Sequence, residues 1–355
     1  MKISIGMKLQ TGPWGGGNQF GTALSEALAA AGHSVYYDLK DPDLDLILLT
    51  EPRLRLTISG YNHANILRYL LHKNRRALVV HRVNECDERK EASQGVNDVL
   101  ASATRVADHT VFVSHWLRDL HLGHGMPVQG SSVIHNGGNR AVFNSNGYEK
   151  WDGLSKIRMV THHWGNNWLK GFDIYQRLDQ LLAQSPYKDR FEFTYIGQIP
   201  EGFTFTNSRL VDPLSGPELA NEIRRHHLYL TASRNEPGSN HNIEGALCGL
   251  PLLYLDSASM AETSRDWGLA FDVDNFEEKL WQMVDLYPRL VEKMADYPFD
   301  SKSTCGQYVT LFENLLTNRE EILQKRNFIK QPIWLAKNWW QGRIAKPAGR
   351  YWLVD

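Results

Sequence analysis

Apolar positions along the chain follow two alternating patterns. Short, largely apolar runs, such as residues 44–50, are typical of strands that are buried on both faces. Between such runs, apolar residues three and four positions apart predict helices, the first over residues 20–31 with Gly32 as its C-cap. Because strands and helices alternate, we predict βα units that form parallel sheets.

The same patterns predict the elements of both halves. In the first half we predict strands over residues 2–9, 33–37, 44–50, 77–83, 109–114 and 132–136, and helices over 20–31, 66–71, 96–103 and 116–122. In the second half we predict strands over residues 157–162, 191–196, 227–231 and 252–255, and helices over 172–183, 215–225, 243–248, 276–294 and 304–324. Ser215 and Glu218 have the spacing of a capping box for the helix over 215–225.

A polar segment separates the two halves. Residues 144–155 are rich in Asn, Ser, Gly and Asp, which favours a linker. At about 150 residues per domain, a chain of 355 residues has room for two domains. We therefore predict an α/β fold with two Rossmann-like, doubly wound domains, residues 1–143 and 156–324, that face a central cleft where the carboxyl ends of their strands bind ligand.

The composition argues against several classes of protein but does not identify the function. Apolar residues make up 42% of the chain and the formal net charge is −1, so no whole-chain field indicates a nucleic-acid partner. The three cysteines lie far apart in sequence, which favours a reducing compartment. With no signal-peptide pattern and no apolar run of about 18 residues, we predict a cytoplasmic protein.

The last segment, residues 325–355, differs from the rest of the chain. It carries seven Lys or Arg residues against one acid, Asp355, together with several aromatic residues. Ile333, Ala336, Trp340 and Ile344 would share one helical face. Two interpretations stay open: the segment packs back on the N-terminal domain, or it makes peripheral contact with the inner face of a membrane.

The candidate chemistry is concentrated between Ser233 and Pro251. The strand over 227–231 leads into a loop with Gly238, and a helix follows. Backbone amides at such a junction form an anion site. Glu236 precedes the junction and Glu244 lies within the helix, where carboxylates suit vicinal hydroxyls better than phosphate. The pattern indicates a phosphate site with a sugar on one side and a ribose on the other.

This segment resembles a known donor motif. Glu236 and Glu244, followed by the sequence ALCGLP from Ala246, closely resemble the motif of family 4 retaining glycosyltransferases of GT-B fold. The resemblance implies that Glu236 contacts hydroxyls of the transferred sugar and that Glu244 contacts the ribose of the nucleotide. The donor-binding residues of the loop would be Arg234, Glu236, Gly238, Ser239 and Asn240. The alternative is a capped helix with two surface glutamates.

A second segment, residues 164–173, resembles the family's diphosphate-binding segment. Lys170 falls on the family's lysine, where a cation would stabilise the leaving nucleotide. Gly165 occupies the position of the expected arginine, so Arg234 or Asn167 substitutes for it, or diphosphate binding is weaker. The alternative for Lys170 is a solvated lysine at the start of a helix.

The first half offers weaker candidates. Gly16 and Gly17 belong to a glycine triplet between the first strand and the first helix, which the resemblance places over the donor phosphates and the acceptor. Polar residues follow the strand over 77–83, where related enzymes carry a catalytic-site histidine. Asn84, with Glu85 after it, is the candidate for that place, and His81, which comes earlier in the chain, is the other catalytic candidate. A buried structural role is the alternative for His81.

The sequence therefore predicts a retaining glycosyltransferase for polysaccharide biosynthesis. It would move a sugar from a nucleotide-sugar donor to a hydroxyl of a glycan or lipid-linked acceptor, with Glu236, Lys170, Asn84 and His81 as catalytic candidates. No metal-binding motif is evident, so we expect a reaction without metal or cofactor. A degenerate protein that binds a nucleotide sugar or glycan, and a sugar-nucleotide epimerase on the same fold, are the alternatives.

Overall fold

Two parallel sheets of six strands each organise the chain, and this confirms the predicted α/β fold class. The computed structural model describes residues 1–10, 16–53, 56–90, 95–326 and 328–344. The residues fall into two compact units.

The first unit comprises Met1–Cys86, Gly95–Ile134 and the chain from Thr304 onward. Its strands are β1 (Lys2–Ile5), β2 (Ser34–Tyr36), β3 (Leu46–Leu49), β4 (Leu78–Val83), β5 (His109–Phe112) and β6 (Ser131–Val133). Its helices are α1 (Gly16–Ala30), α2 (His63–His72), α3 (Val96–Thr104) and α4 (His115–Gly123). The strand order is β2-β1-β3-β4-β5-β6, with β3 and β4 buried along their whole length.

The second unit comprises Asp87–Gln94 and His135–Ser303. Its strands are β7 (Ile157–His163), β8 (Phe191–Gly197), β9 (Arg209–Val211), β10 (Leu228–Thr231), β11 (Leu252–Leu255) and β12 (Gly268–Phe271), in the order β12-β11-β10-β7-β8-β9. Its helices are α5 (Phe172–Leu181), α6 (Tyr187–Arg190), α7 (Gly216–Arg224), α8 (His241–Leu247), α9 (Met260–Ser264) and α10 (Phe276–Lys293).

Both faces of the second sheet are covered, which explains its apolar strands. Phe172, Tyr175 and Phe193 belong to the core on one side. Ile243 and Leu247 of α8 belong to the core on the other side. A strand between two such cores has no solvent-facing side, so apolar residues occupy consecutive positions rather than alternate ones.

Among the described residues, three further helices follow: α11 (Ser301–Thr317), α12 (Arg319–Lys325) and α13 (Pro332–Ile344). The end of the chain packs on the first unit through a buried ion pair in which Arg326 donates two bonds to Asp108, at 2.8 and 2.6 Å. Trp334 donates to the hydroxyl of Ser102 at 3.2 Å. Residues 345–355, which hold part of the basic aromatic segment, lie outside the described residues.

The structure corrects several predicted element boundaries. Helix α1 already begins at Gly16, so Gly16 and Gly17 form its first turn rather than a loop. Ser215 precedes α7, but its side chain makes no capping hydrogen bond, so the predicted capping box is wrong. The helix predicted over residues 304–324 is two helices that meet near Asn318. The short elements β9, β12 and α9 were not predicted, because they span too few residues to show periodicity.

Among the described residues, no helix is long and apolar enough to cross a membrane.

Candidate functional site

Two loops of the second unit carry most of the predicted donor-binding residues. One follows β7 and contains the 3₁₀ turn Trp168–Lys170, and the other connects β10 to α8. The amide of Arg234 donates to the carbonyl of Leu169 at 2.7 Å and joins the two loops. Gly171 permits this approach, because its φ is +96° and a Cβ there would lie 2.4 Å from the Cβ of Ala232.

Lys170 and Glu236 form a buried ion pair across these loops. The Nζ of Lys170 donates to Oε1 of Glu236, and the two residues are only 9% and 6% exposed. Burial opposes the charged form of Glu236, but the positive charges of Lys170 and then Arg89 prevail and lower the pKa of the carboxyl to about 2. Ser259 fixes the Glu236 backbone, because its hydroxyl donates to the carbonyl at 2.6 Å. The site therefore holds an ionised carboxylate at neutral pH.

Glu244 belongs to a second buried chain of polar groups. Its Oε2 lies 2.8 Å from Nε2 of His162, and Nδ1 of His162 lies 2.9 Å from the hydroxyl of Tyr229. Gly245 lets α8 pack this closely, since a Cβ there would lie 2.2 Å from the ring of Tyr229. The structure confirms that Glu244 lies inside a helix, and it shows that a histidine on β7 orients the carboxylate.

His241 is a polar residue of the same region that the sequence analysis missed. It begins α8, and its ring nitrogens lie 2.8 Å from the hydroxyl of Thr231 and 2.7 Å from that of Ser239. Burial lowers the pKa of His241 to about 3, so the ring is neutral at pH 7. Its ring centroid is 4.6 Å from that of His163. The signal was available in the sequence: a histidine lies between the two glutamates of the motif.

Four buried side-chain oxygens near these loops have no hydrogen-bond partner among the described residues. They belong to Asn167, Ser233, Asn240 and Asn242. Buried polar atoms in proteins are nearly always paired, so these four oxygens on the loops and in the first turn of α8 mark a place where a ligand or a water molecule can bond. Asn167 and Asn240 are both donor-binding candidates from the sequence. Asn167 lies on the loop that carries Lys170, and Asn240 lies on the loop that carries Glu236.

Arg234, one of the two predicted substitutes for the missing arginine, is paired with an acid of α5. Its guanidinium donates two bonds to the carboxylate of Asp173, at 2.7 and 2.6 Å. This bidentate pair ties the loop after β10 to the first turn of α5. Gly165 lies beside Lys170, since a Cβ on Gly165 would be 3.5 Å from the Cε of Lys170. Gly238 accepts a bond from the side chain of Asn136 at 2.8 Å.

The remaining candidates lie in the first unit. His81 is fully buried within β4, where its Nδ1 lies 2.8 Å from the hydroxyl of Thr104 on α3. Burial lowers the pKa of His81 to about 3. Its Nε2 has no hydrogen-bond partner among the described residues. Full burial within the strand favours the structural role given as the alternative for His81, and its assignment as a catalytic candidate stays a prediction. Asn84 directly follows β4 and is partly exposed. Residues 11–15, which include the first glycine of the triplet, lie outside the described residues.

Comparison with known proteins supports the fold. No protein-family model matches the chain, and no curated protein sequence matches it. Solved structures do match. Sucrose-phosphate synthase from Thermosynechococcus elongatus has a TM-score of 0.63 at 14% identity, with 89% of this chain and 99% of that chain covered. The chain has the GT-B fold.

Two further structures with the GT-B fold carry bound ligands. The catalytic domain of starch synthase IV from Arabidopsis thaliana, bound to ADP and acarbose, has a TM-score of 0.65 at 11% identity, with coverage of 89% of this chain and 99% of that chain. HepE from Anabaena, in complex with UDP and glucose, has a TM-score of 0.54 at 13% identity, with coverage of 94% and 99%. At these identities the likeness establishes the fold alone.

Proposed function

We propose that the protein is a nucleotide-sugar-dependent glycosyltransferase that acts with retention at the anomeric carbon. The observation that carries this proposal is the buried pair of Lys170 and Glu236, together with the buried carboxylate of Glu244 on the helix that follows the same loop. A buried ion pair is weak as a source of stability, because desolvation offsets much of the attraction. Its place at the carboxyl ends of β7 and β10 suits ligand binding in a doubly wound sheet.

Each charged group has a role that fits its surroundings. Lys170 would bind the diphosphate and stabilise the charge that develops as the nucleotide leaves. Glu236, ionised and fixed through Ser259, would accept hydrogen bonds from hydroxyls of the transferred sugar. Glu244, held through Oε2 by His162, would use Oε1 to accept from a ribose hydroxyl. The unpaired oxygens of Asn167 and Asn240 would accept bonds from the same donor.

The proposed reaction exchanges one bond at the anomeric carbon for another on the same face. The bond to the diphosphate oxygen breaks while the bond to the acceptor oxygen forms. The acceptor proton passes to the leaving phosphate. We propose a hydroxyl of a glycan or of a lipid-linked sugar as the acceptor. Lys170 and the loop amides would supply the charge stabilisation, so the reaction would proceed without a metal ion, and chelation with EDTA should leave its rate unchanged.

A donor screen tests this proposal. Melting temperatures are measured with UDP-, GDP-, ADP- and dTDP-sugars, because a ligand that binds only the folded state raises the melting temperature. We expect one nucleotide class to stabilise the full chain, and Glu236→Gln to lower turnover by about 100-fold, the effect typical of losing one positioned contact. The exposed Glu201→Gln is the matched control and should leave turnover unchanged. Binding of none of the donors would refute the proposal.

A second function is favoured by one specific observation. Gly165 adds no charge beside Lys170, and Arg234 is paired with Asp173. Among the described residues of these two loops Lys170 is therefore the cation that faces Glu236, and Arg89, outside the loops, is the next positive charge. A protein that binds a nucleotide sugar without turnover would have such a reduced charge. NMR distinguishes the two: a transferase slowly hydrolyses its bound donor in the absence of acceptor, whereas a binding protein leaves it intact. An epimerase would convert the donor with no glycoside product.

A further inference from the structure

A large cavity lies where the strands of the second sheet begin. The two loops that follow β7 and β10, here called the donor loops, lie where the strands end. Its volume is about 930 Å³, within the range of small-molecule sites. The first residues of β7, β8 and β9 line it, including Arg158, Phe191 and Arg209. The donor loops follow the last residues of β7 and β10. Arg158 and His163 are five residues apart on β7, a distance of about 17 Å along an extended strand.

Positive charge predominates around this cavity. Two acids, Glu149 and Glu192, also line it, and Oε1 of Glu192 lies 3.8 Å from Nζ of Lys156. Glu222 lies nearby and accepts from two of the cations, Arg209 at 2.6 Å and Arg225 at 3.2 Å. Even with Glu222 counted, three acids face six cations. The six lining cations are Lys156, Arg158, Lys188, Arg209, Arg224 and Arg225.

Two of the guanidinium groups are held in place by backbone carbonyls. Arg158 donates through Nε to the carbonyl of Arg225 at 2.7 Å. Arg224 donates to the carbonyl of Asn144 at 3.0 Å. Carbonyl partners fix the position of a guanidinium but leave its positive charge uncompensated. Cations arranged in this way before a ligand arrives lose little conformational entropy when it binds.

Burial and this positive charge lower the pKa of two neighbouring histidines. The pKa of His226, which lines the cavity, is lowered to about 4, first by burial and then in part by Arg158 and Arg209. The pKa of the adjacent His227 is also lowered to about 4, by burial and then by Arg158. Both rings are neutral at pH 7, so the lysines and arginines alone supply the positive charge.

We propose that this cavity binds a phosphorylated sugar, at a site separate from the donor loops. Guanidinium groups match the oxygens of a phosphate, and four of the six cations are arginines. Asn146, Asn207 and Asn221 also line the cavity. Asn207 donates through its amide nitrogen to the carbonyl of Asp179 at 2.9 Å, and Asn221 accepts through its amide oxygen from Arg224. The amide of Asn146, the amide oxygen of Asn207 and the amide nitrogen of Asn221 can therefore bond to sugar hydroxyls. The proposal does not depend on the transferase function, because none of these residues belongs to the donor loops.

Isothermal titration calorimetry on the full chain tests the site, with glucose 6-phosphate, inorganic phosphate and glucose as probes. We expect glucose 6-phosphate to bind more tightly than phosphate, and glucose to show no measurable binding. Lys156→Gln combined with Lys188→Gln removes two exposed cations and should weaken binding by about tenfold, as loss of charge-assisted contacts does. High salt should also weaken binding, because it screens the attraction between the cations and the phosphate.

Two variants distinguish this site from the donor site. Lys170→Ala, on the donor loops, should leave the affinity for glucose 6-phosphate unchanged. Lys302→Glu, an exposed charge reversal on α11, is the control for a nonspecific effect of charge and should also leave it unchanged. Loss of binding in a Lys170→Ala protein that circular dichroism shows to be folded, equal binding in the double variant, or no binding at all would overturn the proposal. Equal affinity for phosphate and glucose 6-phosphate would overturn its carbohydrate part.

Discussion

The two sheets share their architecture but use polar residues differently. Each has six parallel strands, and each has a histidine on a central strand, His81 on β4 and His162 on β7. His81 lies within its strand and bonds to the hydroxyl of Thr104 in the core. His162 lies at the end of its strand and bonds to the carboxylate of Glu244. These two histidines thus differ in position along the strand: the one within its strand bonds to a core hydroxyl, and the one near the end of its strand bonds to a carboxylate.

Buried charged residues also differ in position between the two sheets. In the first sheet, the buried Arg82 on β4 stacks over the ring of Phe20, with its guanidinium carbon 4.0 Å from the centroid. In the second sheet, Lys170 and Glu236 bring opposite charges together on loops beyond the strands. We therefore expect substitutions on the loops of the second unit to affect activity, and substitutions within β4 to affect stability. The following variants test that difference.

Lys170→Met should have the largest effect. It removes the diphosphate contact of the proposed reaction, so kcat should fall by about 100- to 1,000-fold, as when a positioned electrostatic group is lost. It also leaves Glu236 buried without its main partner, which should lower the free energy of unfolding by about 3–5 kcal/mol. Steady-state kinetics and urea denaturation measure the two effects. Lys279→Met, on α10, is the control.

The pH dependence of stability gives a second readout for the same variant. The pKa of Glu236 is about 2 in the folded protein and 4.5 ordinarily, so the unfolded state binds more protons between these values. The stability that the pair contributes is therefore present above pH 4.5 and lost as the pH falls towards 2. In Lys170→Met this part of the acid dependence should be smaller. Identical profiles for both proteins would contradict the ion pair.

Glu244→Gln should have an intermediate effect of a different kind. A ribose contact lies far from the bond that breaks, so its loss weakens ground state and transition state alike. We expect KM for the donor to rise by about tenfold with kcat little changed. A tenfold change is the effect expected from the loss of one hydrogen bond to a charged group. Initial rates over a range of donor concentrations measure both. A fall in kcat at constant KM would instead place Glu244 near the reacting carbon.

The sequence predicted most of the second sheet and part of its site. The runs over residues 157–162 and 252–255 lie within β7 and β11, because an apolar strand between two covered faces leaves a clear pattern. The pairing of Lys170 with Glu236 could not be predicted, since 66 residues separate them and only the fold brings the loops together. The same holds for the bond between His162 and Glu244.

Gly165→Arg should produce a smaller change, an increase in kcat/KM for the donor. The Cβ of a residue at position 165 would be 3.5 Å from Cε of Lys170 and 3.8 Å from Nδ2 of Asn167, which are ordinary contacts. The added cation would lie beside Lys170 and strengthen binding of a diphosphate. We expect kcat/KM for the donor to rise by about three- to tenfold, as for one charge-assisted contact. Gly165→Gln adds a similar length without charge, and an equal gain in that control would assign the effect to packing.

His81→Leu should have the smallest effect on activity. The leucine fills the core but loses the bond to Thr104, so we expect unfolding to become easier by about 1–2 kcal/mol with kcat unchanged. The pKa of His81 is about 3 in the folded protein and 6.5 ordinarily, so the unfolded state binds the extra proton between these values. Wild-type stability therefore falls as the pH drops below 6.5, and this variant should lose less. A large fall in kcat in a folded His81→Leu protein would show that β4 contributes to catalysis and would remove the functional difference between the sheets.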